Sequence, residues 1–134
     1  MPVEPGLRRH RDGTELEQIA GYSRAVRRHG HIAVSGTTAT GADGTALHPG
    51  DTYLQTRAAL EKALSAVGAL GGKAGDVVRT RIFLAPEANW ESAARAHADL
   101  LGEIAPANTM LHVSKLIGNG FLVEVEIDAE TDGA

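Results

Sequence analysis

Cysteine is absent from the 134-residue chain, which excludes disulfides, thiol nucleophiles and cysteine-held metals together. Aromatic residues are scarce, with two Phe, two Tyr and one Trp. A protein that stacks single-stranded bases on aromatic rings would have little to stack them on. No apolar run approaches the ~20 residues that a membrane helix needs. The opening 1-MPVEPGLRRHRDG-13 lacks the apolar stretch of a secretory leader. There is no basic excess either: 17 acidic and 13 basic residues give a net charge of −4, which argues against a dedicated nucleic-acid binder. No phosphate loop or dinucleotide fingerprint occurs, since Gly41 and Gly44 belong to a turn with no helix after it. No G-x-S-x-G elbow surrounds Ser35. His29 and His31 flank Gly30 without a carboxylate to complete a metal site. The expectation from these absences is a cytoplasmic protein with no metal, nucleic-acid partner or membrane partner.

What is present is ordinary for a globular chain, at 43% hydrophobic and 22% charged residues. The length suits one domain over 1–134 with a real core. Residues 1–13 read as irregular or as an edge strand around Leu7–His10, and 130–134 as a frayed tail. Thr14 followed by Glu17 fits a capping box, which predicts a helical turn near 14–19. The alternation in 22-YSRAVRRHG-30 and 31-HIAVSG-36 predicts a hairpin turning at His29–Gly30. A long loop follows over 37–50.

Asp51 can cap a helix running to about Gly68, with Leu60, Ala63, Leu64 and Val67 on one face. The β-branched run 77-VVRTRIFL-84 predicts a strand. A second helix spans about Asn89–Leu101, its stripe formed by Trp90, Ala93, Ala94, His97, Leu100 and Leu101. On that stripe Trp90 is expected in the core and His97 as a partly buried, satisfied histidine. Two last strands, 109-TMLHVSKL-116 and 122-LVEVEID-128, are joined through Gly118-Asn119-Gly120. The order gives an α+β fold with two helices on one face of a mixed sheet. The other face, carrying the alternating glutamates of the last strand, is polar in part and open to oligomerisation. Six arginines (Arg8, Arg9, Arg11, Arg24, Arg27, Arg28) lie near the start, and five acids (Glu124, Glu126, Asp128, Glu130, Asp132) near the end. They read either as solvated faces or as segments that meet within or between subunits.

The stretches 21-GYSRAV-26, 34-VSGTT-38, 50-GDTYLQTRAAL-60, 76-DVVRTRIFL-84, 106-PANT-109 and 123-VEVEIDA-129, in this order and spacing, resemble the Rid superfamily. These are the reactive intermediate deaminases, also called YjgF or endoribonuclease L-PSP proteins. The resemblance implies a chorismate-mutase-like fold with a six-stranded sheet, a homotrimer with clefts at subunit interfaces, and no cofactor. In the best-known branch it implies hydrolysis of 2-imino and 2-enamino acids to 2-oxo acids and ammonia.

That branch carries an arginine directly after a Pro-Ala at the mouth of the penultimate strand. Here the position is Asn108, so the chain resembles a branch lacking this arginine. A guanidinium grips a carboxylate with two charge-assisted hydrogen bonds. Its loss costs roughly 1.5–3 kcal/mol of carboxylate binding, about ten- to a hundredfold in affinity. By the same resemblance Glu124 is the acid/base on the last strand, with Glu126 as the fallback if the register slips by two. Tyr22, Ser35 and Gly36 match the family's hairpin residues. Met110, two after Asn108, makes the pocket more apolar, and His112 shares its strand face. Arg24 and Arg81 stand where the deaminase branch is usually neutral. Either reaches a substrate carboxylate in the cleft, or pairs across strands with Glu124 and Glu126.

Two functions follow as expectations. One is a small enzyme hydrolysing or tautomerising an imine, enamine or related carbonyl intermediate. The alternative is a non-catalytic metabolite-binding trimer acting as sensor or chaperone. Endoribonuclease activity is the least favoured.

Overall fold

The computed structural model describes residues 5–132. Six strands form one sheet: β1 (Leu7–His10), β2 (Ala25–Arg28), β3 (His31–Thr38), β4 (Val77–Leu84), β5 (Ala107–His112) and β6 (Val123–Glu130). Their spatial order is β1-β2-β3-β6-β4-β5. All neighbours run antiparallel except β4 and β5. The helices are α1 (Glu15–Ala20), α2 (Thr52–Ala69) and α3 (Trp90–Leu101). The α+β architecture, the edge strand at Leu7–His10 and the His29–Gly30 turn agree with the sequence. So does the capping box of α1, in which Thr14 and Glu17 bond each other's backbone N–H.

Alternation sorts the sheet into two faces. Ile32, Val34, Thr80, Ile82, Leu84, Val123, Val125 and Ile127 are buried on one side. The small residues Ala59, Ala63 and Ala93 let α2 and α3 lie close on that face, with Leu60, Val67 and Leu101 filling the core between them. The other face carries Arg79, Arg81 and Phe83 of β4 paired with Asp128, Glu126 and Glu124 of β6.

Three expectations are corrected. The last two strands are not sheet neighbours. β6 lies between β3 and β4 because Val123, Val125, Ile127 and Ala129 are all fully buried, which suits a central strand, while β5 pairs in parallel with β4 at the edge. β5 covers Ala107–His112 rather than 109–116, its ladder ending where Val113 N–H donates to the Leu84 carbonyl. Trp90 stands outside the core, 56% exposed, because α3 turns Ala93, Ala96 and Leu101 inward instead. Of the tail expected over 130–134, Glu130 is in β6, and residues 133–134 lie outside the described residues.

Several of the end charges have partners among the described residues, and Arg27 also reaches the C-terminal segment, donating to Thr131 Oγ1 at 3.0 Å. Arg8 and Arg27 both donate to the Leu70 carbonyl, at 2.7 and 2.8 Å, placing two cations at the negative end of α2. Arg81 is shared between Glu126 and Asp128 at 3.5 and 3.2 Å. His31 lies 2.9 Å from Glu130.

One buried polar side chain sets the start of β6. Gln55 on α2 is fully buried. Its Nε2 donates to the Gly120 carbonyl at 2.9 Å, and its Oε1 accepts from Leu122 N–H at 2.8 Å. Each buried group left without a partner costs about 1–3 kcal/mol. Gln55→Met is therefore expected to destabilise the fold by roughly 2–4 kcal/mol, read as a lower urea midpoint at unchanged slope. An unchanged midpoint would show that these two backbone groups find other partners.

Candidate functional site

All the expected site residues except Ser35 and Arg81 fall into two hollows on opposite faces of the sheet. The first, about 350 Å³, is bordered by Tyr22, Arg24, Gly36, Thr38, Phe121 and Glu124. A bulge shapes it. The register of β3 against β6 shifts between Val34 and Thr37, so Ser35 and Gly36 together occupy the place opposite Glu126. Gly36 lets the Glu124 side chain fold in close, since a Cβ there would stand 2.5 Å from Glu124 Oε2. Glu124 is half-buried. Burial pushes its pKa above the ordinary 4.5, the Arg24 cation pulls it back and Glu126 raises it again. A carboxyl whose pKa is raised by burial keeps its proton to higher pH than a solvated one, which suits an acid or base. Glu126, the fallback, lies outside this lining and is paired with Arg81.

Arg24 forms the wall beside Glu124. It is buried and donates to the Gly36 carbonyl and to Thr37 Oγ1, the latter at 2.9 Å. Its Nε lies 3.0 Å from Asp12 Oδ2 without hydrogen-bond alignment. Its Nη2 reaches Tyr22 Oη at 3.3 Å, and its guanidinium carbon stands 5.6 Å from the Tyr22 ring centroid. This guanidinium locks the bulge and leaves its Nη2 end beside Tyr22. Ser35 turns away, its hydroxyl donating to the Ser23 carbonyl at 2.7 Å, and borders a neighbouring groove with Arg9, Arg11 and Glu17. Arg81 borders neither hollow; it pairs across strands with Glu126, one of the two partners expected for it, and with Asp128 rather than Glu124.

The second hollow, about 480 Å³, lies on the helix side at the β5 edge. Leu84, Trp90, Asn108, Met110, Leu111 and His112 line it. Asn108, Met110 and His112 pair with Thr80, Ile82 and Leu84, which all face the core. Asn108 Nδ2 donates to Thr80 Oγ1 at 3.0 Å, and Thr80 Oγ1 is 2.8 Å from His97 Nε2. His112 Nδ1 lies 3.0 Å from the Ala85 carbonyl.

In one chain, then, Glu124, Tyr22, Arg24 and Gly36 meet, and so do Asn108, Met110 and His112, but the two groups do not. Sequence reasoning missed Asp12, Thr38 and Phe121 in the first hollow, and Thr80 behind Asn108 in the second. Thr80 could be found only through the parallel β4–β5 register. Asp12 carries a local signal, standing two residues before the capping-box threonine. Among the described residues, no group of three or more metal-ligating side chains is placed to hold a metal, and no helix is long and apolar enough to cross a membrane.

A six-stranded mixed sheet, covered on one face by two helices and bulged where a half-buried glutamate folds in, defines an α+β protein of the YjgF type. The sequence matches the Endoribonuclease L-PSP family over residues 13–131, and the chain belongs to that family. It is 35% identical over 123 residues to the uncharacterized protein SCO2049 of Streptomyces coelicolor, covering 92% of this chain and 91% of that one. Among solved structures it resembles Rv2704 of Mycobacterium tuberculosis, described as a member of the YjgF/YER057c/UK114 family. That match has 38% identity and a TM-score of 0.83, over 93% of this chain and 99% of that one. It also resembles PA3499, a protein of unknown function from Pseudomonas aeruginosa, at 26% identity and a TM-score of 0.78, over 95% and 94% of the two chains.

Proposed function

We propose that this protein is a cofactor-free enzyme that hydrolyses or tautomerises an imine, enamine or related carbonyl intermediate, in clefts built between the subunits of a homotrimer. The observation that carries this reading is the half-buried, charge-flanked Glu124 carboxyl at the β3 bulge. Glu124 moves a proton and orients the attacking water. Arg24 at its side stabilises the carboxylate form after proton transfer, and Tyr22 covers the substrate. Asn108 belongs to the same cleft but comes from a neighbouring subunit, because one chain carries the two residues on opposite sheet faces. Among the described residues the outer edge of β5 pairs with no strand, and Trp90 and Leu111 beside it are exposed, which gives that neighbour a surface to meet.

With asparagine where a carboxylate-gripping arginine would stand, small 2-imino acids are poor substrates. The test is ammonia release from 2-iminopropionate generated in situ. Wild type is expected to be slow, and Asn108→Arg about ten- to a hundredfold faster in kcat/KM. A wild type already as fast as Asn108→Arg would show that another cation holds the carboxylate. No gain in the variant would favour a metabolite-binding trimer.

A further inference from the structure

The side chains behind Asn108 decide which end of its amide meets the hollow. Thr80 is fully buried, and its hydroxyl lies between Asn108 Nδ2 at 3.0 Å and His97 Nε2 at 2.8 Å. A hydroxyl has one hydrogen to give. It also has two lone pairs, but among the described residues Thr80 Oγ1 has no hydrogen-bond partner besides these two; when the Asn108 amino group donates to it, the buried Thr80 proton is therefore satisfied only by His97 Nε2, which is then the bare ring nitrogen. The opposite polarity needs a proton on Nε2 and turns the amide over. Burial holds the His97 pKa below its ordinary 6.5, so the ring is neutral near pH 7 and can offer a bare Nε2.

A second residue points the same way. His112 Nδ1 faces the Ala85 carbonyl, which can only accept, so the His112 proton sits on Nδ1 and a neutral ring leaves Nε2 as an acceptor. No lysine or arginine of the same chain lines this hollow among the described residues, and Arg24, which the shared cleft would bring to it from the neighbour, already stands against Asp12 and Glu124. We infer that Thr80 and His97 are positioning residues that hold Asn108 with Oδ1 toward the hollow, so that the site selects a ligand presenting an N–H or O–H donor there, as a carboxamide does, over one presenting a carboxylate. A carboxylate brings only acceptors: it would meet Oδ1 lone pair against lone pair and could take only the single amide hydrogen that Thr80 leaves free, whereas a carboxamide can answer both ends of the amide. This rests on the reading that Asn108 belongs to the substrate cleft, and it adds the class of group recognised.

Two readouts test it without turnover. Long-range proton–nitrogen NMR on the labelled wild-type protein reports which His97 nitrogen is protonated; a bare Nε2 is expected. Titrations with pyruvamide and pyruvate, which differ only in carboxamide against carboxylate, are followed at the Asn108 side-chain amide. Pyruvamide is expected to bind roughly tenfold tighter. Thr80→Val should bring the ratio toward one, and Thr80→Ser should retain it. A protonated Nε2, an equal or reversed preference, or no binding of either probe overturns the inference. If Thr80→Val does not fold, the tautomer and the wild-type preference decide alone. Selective pyruvamide binding without Glu124-dependent hydrolysis would keep the inference and overturn the enzymatic reading. Hydrolysis by Asn108→Arg together with a protonated His97 Nε2 would do the reverse.

Discussion

Glu124→Gln, placed in the Asn108→Arg background, is expected to lower 2-iminopropionate turnover by about 10²–10⁴-fold, the range for loss of a positioned acid or base. Glutamine is isosteric and keeps the hydrogen-bonding capacity at the β3 bulge but cannot take a proton. The same change is expected to stabilise the fold at neutral pH. Burial raises the Glu124 pKa in the folded state, so ionisation is easier in the unfolded chain. The stability associated with the protonated group is fully present below the ordinary value of 4.5 and is lost as pH rises through the folded pKa. A glutamine side chain, which does not ionise, removes that loss. Thermal midpoints of the two proteins should therefore coincide in acid and separate toward neutrality, with the glutamine variant higher. An active, unstabilised variant would show that Glu124 is neither strained nor chemical.

Gly36→Ala is expected to reduce kcat in the same assay about a hundredfold, the scale on which a misplacement of ~1 Å acts, while changing stability little. The backbone at Gly36 is outside the left-handed region, so alanine is tolerated there. The new Cβ would stand 2.5 Å from Glu124 Oε2. What it meets is the far end of a flexible side chain, which moves aside at small cost. The carboxyl then leaves its place beside Arg24. Urea unfolding and kinetics on the same preparation separate the two effects. A large loss of stability with proportionate loss of activity would mean that the bulge itself fails.

The fold was readable because its signals are local. The Thr14–Glu17 capping box, the Asp51 cap and the β-branched run of β4 each determine an element from neighbouring residues. The place of β6 is not local: it depends on β6 burying its alternate residues between two strands distant in sequence. Trp90 was misplaced because helical spacing gives a stripe without saying which edge of it faces solvent. Tyr22, Gly36 and Glu124 were named from motifs that the family resemblance supplied, and Arg24 as a departure from them. The bulge that brings Gly36 onto Glu124 and the Asn108–Thr80–His97 chain arise from cross-strand register, which no single segment encodes.

The shared cleft is tested most directly by mixing subunits. Wild-type chains carry Glu124 but no arginine at position 108. Chains with both Asn108→Arg and Glu124→Gln carry the arginine but not the glutamate. Unfolded and refolded together in equal amounts, trimers with random composition should place Glu124 against the introduced arginine of a neighbour in about one quarter of their clefts. Hydrolysis of 2-iminopropionate should then appear at about a quarter of the Asn108→Arg rate, well above either parent. No rise on mixing, with Asn108→Arg itself active, would mean that both residues serve a cleft within one chain and would contradict the shared site.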